Sequence, residues 1–444
     1  MLSLAGFALL LGLAGCGDDS PPSAPGGSKV TDLLHCDITI SECQQAIYDS
    51  VAVMLDAEDF PRPSIRTISV EQHAQEVRSG LNLDDLTGED ATSRGLRLLG
   101  FIPEASESVA ATQADYFINQ IAAYYSRGRG SITVIDRDYE DVNAQTLLAH
   151  ELTHAIQDNQ FNLNQVSAGA QTEDGVIGVR SVIEGDAMHT SFAWAYDQLG
   201  YSPEDIDWDG LHEERTRAER GVAADPNVAL IDSASGFPYS YGFRFMTAAT
   251  LSGGLAGRAA AFEAPPGTTV EVMDGFGVPL PTFQFPVTAH PAPVDGYALQ
   301  VENRFGAWYV YGFLRRRGLD DQTALAVALG WLGDTLAIYQ SGSDVVAAVW
   351  RVELDHPLTA LLLEDQVNED AADNAWSAIA VEDEVFVLAA ESTQALLAWA
   401  EQPLGSMTAS IVPKAERLWG GPVSQGNCLQ SKEFLLPVPR LGLH

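Results

Sequence analysis

Apolar positions recur with a helical period over most of the chain and alternate with a strand period only in short stretches. Between Val30 and Leu55 the set Leu33, Leu34, Ile38, Ala46, Ile47, Val51 and Leu55 predicts a helix. Ser64 to Val70 alternates and predicts a strand, followed by a helix to Arg78. Gly95 to Leu99 and Ala114 to Tyr125 read as helical, and Gly128 to Gly130 breaks the pattern. Ser131 to Ile135 is short and β-branched, so it reads as a strand. Asp141 to Gln157 predicts a helix whose apolar stripe is Leu148, Leu152, Ala155 and Ile156. Gly175 to Leu199 predicts a second long helix. Further helices are expected over Pro238–Leu251, Arg258–Phe262, Arg304–Arg317, Asp321–Leu329 and Ser392–Ala400. Phe276 to Val294 reads as a long loop, and Trp376–Val381 with Glu384–Leu388 as a β-hairpin. The expected fold class is therefore α+β and predominantly helical.

The first 16 residues break this pattern. Leu2 to Leu13 is an apolar run of roughly 12 residues, where a bilayer span needs about 20. It ends in Leu13-Ala14-Gly15-Cys16, which reads as an export signal over residues 1–16. The Leu-Ala-Gly-Cys end resembles a bacterial lipobox, which implies lipidation of Cys16. No Lys or Arg precedes the apolar run, a departure from the usual signal. Residues 17–30 are rich in Pro, Gly and Ser and read as a flexible tether. The expected location is the bacterial cell envelope, lipid-anchored, with the outer membrane or periplasmic side favoured over the cell surface. Export makes the remaining cysteines candidates for disulfides. Cys36 and Cys43 could close a small loop, or Cys428 could tie the C-terminal tail back to this segment.

An apolar fraction of 46% supports a sizeable core and excludes a wholly disordered chain. The net charge of −37 excludes a phosphate-backbone partner, so no nucleic acid is expected.

The chemistry lies on the helix from Asp141. His150-Glu151-Leu152-Thr153-His154 is an HExxH motif, and on a helix its histidines lie one turn apart on the same face. Two imidazoles so placed can converge on one divalent ion, and the spacing suits zinc with Glu151 as proton shuttle for a water. Glu184, thirty residues after His154, is the expected third ligand, and two His with one Glu leave a position open for chemistry. Asp186 and Asp158 compete to accept the free N–H of a ligating histidine. Amide hydrolysis also needs an electrophile for the oxyanion. Tyr239, Tyr241, Arg244, His189 and His290 are the candidates, the two tyrosines favoured because their stretch, FPYSYG, resembles a motif of bacterial zinc metallopeptidase-like proteins.

The run HELTHAIQDNQF, then VIEGDA, then Phe237-Pro238-Tyr239-Ser240-Tyr241-Gly242, resembles gluzincin-type zinc metallopeptidases. More narrowly it is similar to a group of bacterial proteins, often lipoproteins, with the pattern HELTHA[IL]QD, EGDA and FPYxxG. Weaker likenesses are Ala123-Tyr124-Tyr125, the stretch from Pro265 to Val272, and Gly330 to Asp334. The resemblance implies one Zn2+ held by His150, His154 and Glu184, with Glu151 as general base. It implies a zincin-like core of small sheet, HExxH helix and Glu-bearing helix. With N-terminal helices this core would occupy residues 31–200. Residues 201–444 would form a mostly helical C-terminal region ending in the hairpin and a helix. Relatives often carry His-Pro after the double proline, where this chain has Asp274-Gly275.

The expected function is hydrolysis of peptide bonds in a peptide or protein substrate by an exported, lipid-anchored metallopeptidase. Two other readings stand beside it: a catalytically inactive zincin-like envelope lipoprotein used for binding or scaffolding, and a metal-free solute-binding lipoprotein.

Overall fold

Strand β1 (Ser64–Ser69) runs parallel to β3 (Ser131–Asp136), and β2 (Ala123–Ser126) runs antiparallel to β3 on its other side. This three-stranded sheet lies beside α5 (Asp141–Phe161), which contains neither Gly nor Pro and follows β3 directly in the chain. The computed structural model of the protein describes residues 32–80, 90–105, 108–136, 141–274, 293–370 and 376–400. Cys16, His290, Cys428 and all but the last two residues of the loop expected over 276–294 lie outside them.

Alternation along the strands decides what the sheet buries. Ile132 and Val134 of β3, with Ala123 and Tyr125 of β2, pack on Leu147, Leu148, Leu152, Ala155 and Ile156 of α5. Ile135, Tyr124 and Ile68 point to the opposite face and meet Ile121. Helix α1 (Ser41–Met54) covers α5 with Ile47, Tyr48 and Val51. A disulfide between Cys36 and Cys43 closes the loop that precedes it, the first of the two pairings open in the sequence. Helices α2 (Val70–Gly80), α3 (Ala91–Leu98) and α4 (Val109–Gln120) occupy the interval between β1 and β2.

After α5 come the short α6 (Leu163–Ser167) and the long α7 (Glu173–Gln198), which packs along α5. Helices α8 (Trp208–Ala224) and α9 (Leu230–Phe237) follow, then a π-helical turn over Pro238–Gly242 and α10 (Phe243–Glu263), kinked at Gly254. Helix α11 (Thr269–Asp274) precedes strand β4 (Tyr297–Asn303).

Helix α12 (Ala307–Arg316) is buried on every side from Ala307 to Leu314 and forms the centre of the larger core. The rest comprises α13 (Asp321–Leu329), β5 (Trp331–Ser341), β6 (Val346–Leu354), α14 (Pro357–Asp370), β7 (Trp376–Val381), β8 (Glu384–Ala390) and α15 (Thr393–Ala400). Five strands form an antiparallel sheet in the order β4-β5-β6-β8-β7. One face, with Leu336, Ile338, Val346, Ala348 and Trp350, joins the larger core. The other, with Ala337, Tyr339, Ala347 and Val349, is covered by Trp399 of α15.

The fold is α+β and mostly helical, as expected from the pattern. Three expectations are corrected. The C-terminal half contains a five-stranded sheet and not only the expected hairpin, because β5 and β6 are buried on both faces and so lack the polar alternation that marks a half-exposed strand. Ala123 to Tyr125 is strand β2, not the end of a helix; all four of its residues are buried, so periodicity could not separate the two forms. The first helix begins only at Ser41, since turns occupy the residues before it. No helix among the described residues is long and apolar enough to cross a membrane.

Candidate metal centre

The apolar stripe of α5 faces the sheet and α1, which turns His150 and His154 toward α7. Helix α7 is capped by the Thr172 hydroxyl, which accepts from Gly175 N–H, and it presents Glu184 to the histidine pair. His150, Glu151, His154, Glu184 and Asp186 are all buried.

Three donor atoms meet at one point. His150 Nε2 and His154 Nε2 lie 3.1 Å apart, and each lies 3.3 Å from Glu184 Oε2. Ligands about 2.0–2.1 Å from a tetrahedral zinc are themselves about 3.3 Å apart. The spacing therefore fits one small divalent ion, and these three side chains form a group that could hold one. The oxygens around them point the same way: Glu184 Oε1, both carboxylate oxygens of Glu151 and the Tyr239 hydroxyl are buried without a hydrogen-bond partner. Buried polar atoms left unmatched are costly and mark sites made for something else.

The histidine tautomer follows from a chain of bonds. Gln157 Nε2 donates to Asp186 Oδ2 at 2.8 Å and to the Ile183 carbonyl at 2.9 Å, so Gln157 Oε1 is an acceptor. His154 Nδ1–H donates to that oxygen at 2.8 Å, leaving the Nε2 lone pair for an ion. Arg258 Nε donates to both Asp186 oxygens, at 2.8 and 2.9 Å, and its Nη1 donates to Gln160 Oε1. Arg258 in turn lies over the rings of Phe161 and Phe262.

Burial sets the protonation of the group. It pushes His150 down to about 4, toward the neutral imidazole that binds metal. It works against ionisation of Glu184, yet the charge of His154 and the bonds to both histidines hold that carboxyl well below the usual range. His154 is raised: burial opposes its charge, and the Glu184 carboxylate outweighs it. Glu151 is pushed up to about 8, again by burial first.

The remaining candidates separate. Tyr239 stays at the centre, its ring stacked on His150 at 6.0 Å between centroids and 25° between planes. Tyr241, two residues on, points into the larger core, where it stacks on Phe237 at 4.9 Å and contacts Trp308. Tyr241 is thus not brought to the histidine pair, because residues two apart on this helical turn face different sides. Asp158 bonds elsewhere: it accepts from the Tyr125 hydroxyl and the Leu163 N–H, both at 3.0 Å, and joins β2 to the end of α5. Asp186 reaches the histidine only through Gln157, which the sequence reading missed. The signal was present, since Gln157 is three residues beyond His154 on the same helix face. His189 bonds Thr247 Oγ1 at 3.1 Å, and Arg244 donates to the Met273 carbonyl beside the Tyr241 ring.

No protein-family model, curated protein or solved structure matches the chain. The residues of the site therefore carry the functional argument alone.

Proposed function

We propose that this protein is a zinc-dependent peptidase with His150, His154 and Glu184 as ligands and Glu151 as general base. The observation that carries the reading is the meeting of three metal-donor atoms at 3.1–3.3 Å beside a buried, unpartnered carboxylate. The resemblance of HELTHAIQD and VIEGDA to gluzincins favours a peptide bond as the target and a zincin-like arrangement of the core.

A zinc ion held there supplies a Lewis acid and eases deprotonation of a water. Glu151 takes that proton as the water adds to the peptide carbonyl and returns it to the leaving amine. The Tyr239 hydroxyl, without a partner in the resting protein, donates to the carbonyl oxygen as negative charge builds on it.

The same reading places the enzyme in the bacterial envelope, tethered through a lipid on Cys16. The Cys36–Cys43 disulfide supports export, since such bonds persist in oxidising compartments. An inactive scaffold is the competing reading, motivated by Asp274 where relatives often carry histidine.

The test measures metal and turnover separately on the soluble chain from Gly17 onward. One zinc per chain is expected in the wild type, with loss or sharp weakening in Glu184→Ala. Glu151→Gln should retain zinc and lose hydrolysis of a peptide library. Undiminished hydrolysis by pure Glu151→Gln would overturn the mechanism. Stoichiometric zinc with an inert wild type would favour the scaffold.

A further inference from the structure

Arg180 stands apart among the arginines of this acidic chain. Its Nε and Nη2 are buried without a hydrogen-bond partner. Arg97, Arg127, Arg220, Arg244, Arg258, Arg315 and Arg317 also bury such a nitrogen, but each has a partner of its own; for Arg220, Arg258 and Arg315 it is a carboxylate at 3.4, 2.8 and 4.0 Å. Arg180 makes no ion pair with a described carboxylate, although the chain has 61 acidic residues. Its position gives this meaning. Arg180 is four residues before Glu184 on α7, so the two share one face of the helix about 6 Å apart along its axis. Its charge also acts on Tyr239, which stacks on His150, and on Tyr116 of α4. The residue is half-buried, so part of the side chain reaches solvent while the two unmatched N–H groups face inward.

We infer that Arg180 is a specificity-determining residue that binds a carboxylate of the substrate, one helical turn from the metal centre. This rests on the peptidase reading and narrows its substrates to peptides with a carboxylate near the bond cut. A guanidinium with two adjacent free N–H groups matches a carboxylate in bidentate fashion, which a neutral amide cannot reproduce. Two sources share that chemistry: the free C-terminus of a peptide, or an Asp or Glu side chain.

The test uses acetylated hexapeptide mixtures, half ending in a free carboxylate and half in a carboxamide, with cleavage sites read by mass spectrometry. Zinc-loaded wild type should prefer carboxylate-bearing peptides. In Arg180→Ala the ratio of kcat/KM for carboxylate over neutral peptides should fall on the order of 10–100-fold, through KM rather than kcat. Arg180→Lys, which keeps the charge without the fork, should recover part of it. Preference confined to free-acid peptides identifies the C-terminus; preference for Asp or Glu at one position in both halves identifies a side chain. Peptide binding to Glu151→Gln, with and without Arg180→Ala, reads the same discrimination without turnover. Cleavage with no carboxylate preference, or a preference unchanged in Arg180→Ala, overturns the inference and leaves the peptidase standing. A wild type that cleaves nothing removes the peptidase reading. In that case carboxylate-selective binding that disappears with Arg180 still supports its role, and binding without selectivity overturns it as well.

Discussion

Gly185 and Gly242 meet backbone to backbone. A Cβ on Gly185 would lie 2.1 Å from the Gly242 carbonyl oxygen, and one on Gly242 would lie 2.5 Å from the Ser181 carbonyl oxygen. Helix α7 and the π-helical turn thus touch with no side chain between them, next to Glu184 on one side and Tyr239 on the other. The contact gives a physical reason for the glycines in VIEGDA and in FPYSYG: together they bring the third ligand and the tyrosine to the same point.

Gly185→Ala should therefore force the two elements apart. The expected cost is on the order of 3 kcal/mol, as for an overpacked core. It is read as a drop in thermal midpoint, with zinc affinity falling in parallel because Glu184 moves. Alanine accepted at normal stability would mean that the contact is looser than 2.1 Å implies.

The two tyrosines should behave differently. Tyr239→Phe removes the unpartnered hydroxyl, so zinc content should hold while kcat falls on the order of 100-fold. Tyr241→Phe removes only a 3.5 Å contact with Arg220 Nη1, so kcat should stay within a few-fold. Equal losses in both variants would contradict the assignment.

The bond chain behind His154 should tune the metal. Gln157→Leu breaks both the imidazole bond at 2.8 Å and the bond to Asp186 at 2.8 Å. Zinc dissociation constants measured with a competing chelator should rise about 10–100-fold. Asp158→Asn, off this chain, should leave the constant near its wild-type value.

A pH dependence independent of the metal comes from Asp174, ten residues before Glu184 on α7. It accepts from Thr269 N–H and Oγ1 through Oδ1, while Oδ2 is buried without a partner. Burial raises its carboxyl from 3.8 to about 7. The folded state thus binds this proton more tightly than the unfolded chain does. The associated stability is complete below pH 3.8 and is lost as pH rises through about 7. Asp174→Asn should match the wild type near pH 4 and exceed it at pH 8, by on the order of 2–4 kcal/mol. Denaturant melts at the two pH values check the sign.

Much of the half that carries the candidate metal centre was legible from residues alone. The stripe Leu148, Leu152, Ala155 and Ile156 placed α5 against a core and so turned His150 and His154 the other way. The apolar neighbours of Glu184 marked α7 as buried, as the structure shows. The C-terminal sheet was less legible because a strand covered on both faces reads as a continuous apolar run. Asp334 illustrates the difficulty. In the sequence it is a charge inside an apolar segment. In the fold it accepts from the indoles of Trp331 and Trp350 and from the N–H groups of Phe305 and Gly306. Only Trp331 is a near neighbour in the chain; the other three donors lie 16 to 29 residues away, and no local pattern announces them. For Gln157 the limit applies on one side only: its bond to His154 is local, while its other partner, Asp186, is 29 residues away.

The tie from Arg258 to Asp186 also bears on when the protein becomes competent. The three ligands are complete once residue 184 has been synthesised, but the brace that fixes the His154 ring runs through α10, more than seventy residues later. A nascent chain long enough to carry His150, His154 and Glu184 still lacks the part that fixes their geometry. On the proposed reading, tight metal capture is therefore a late event in the life of each molecule.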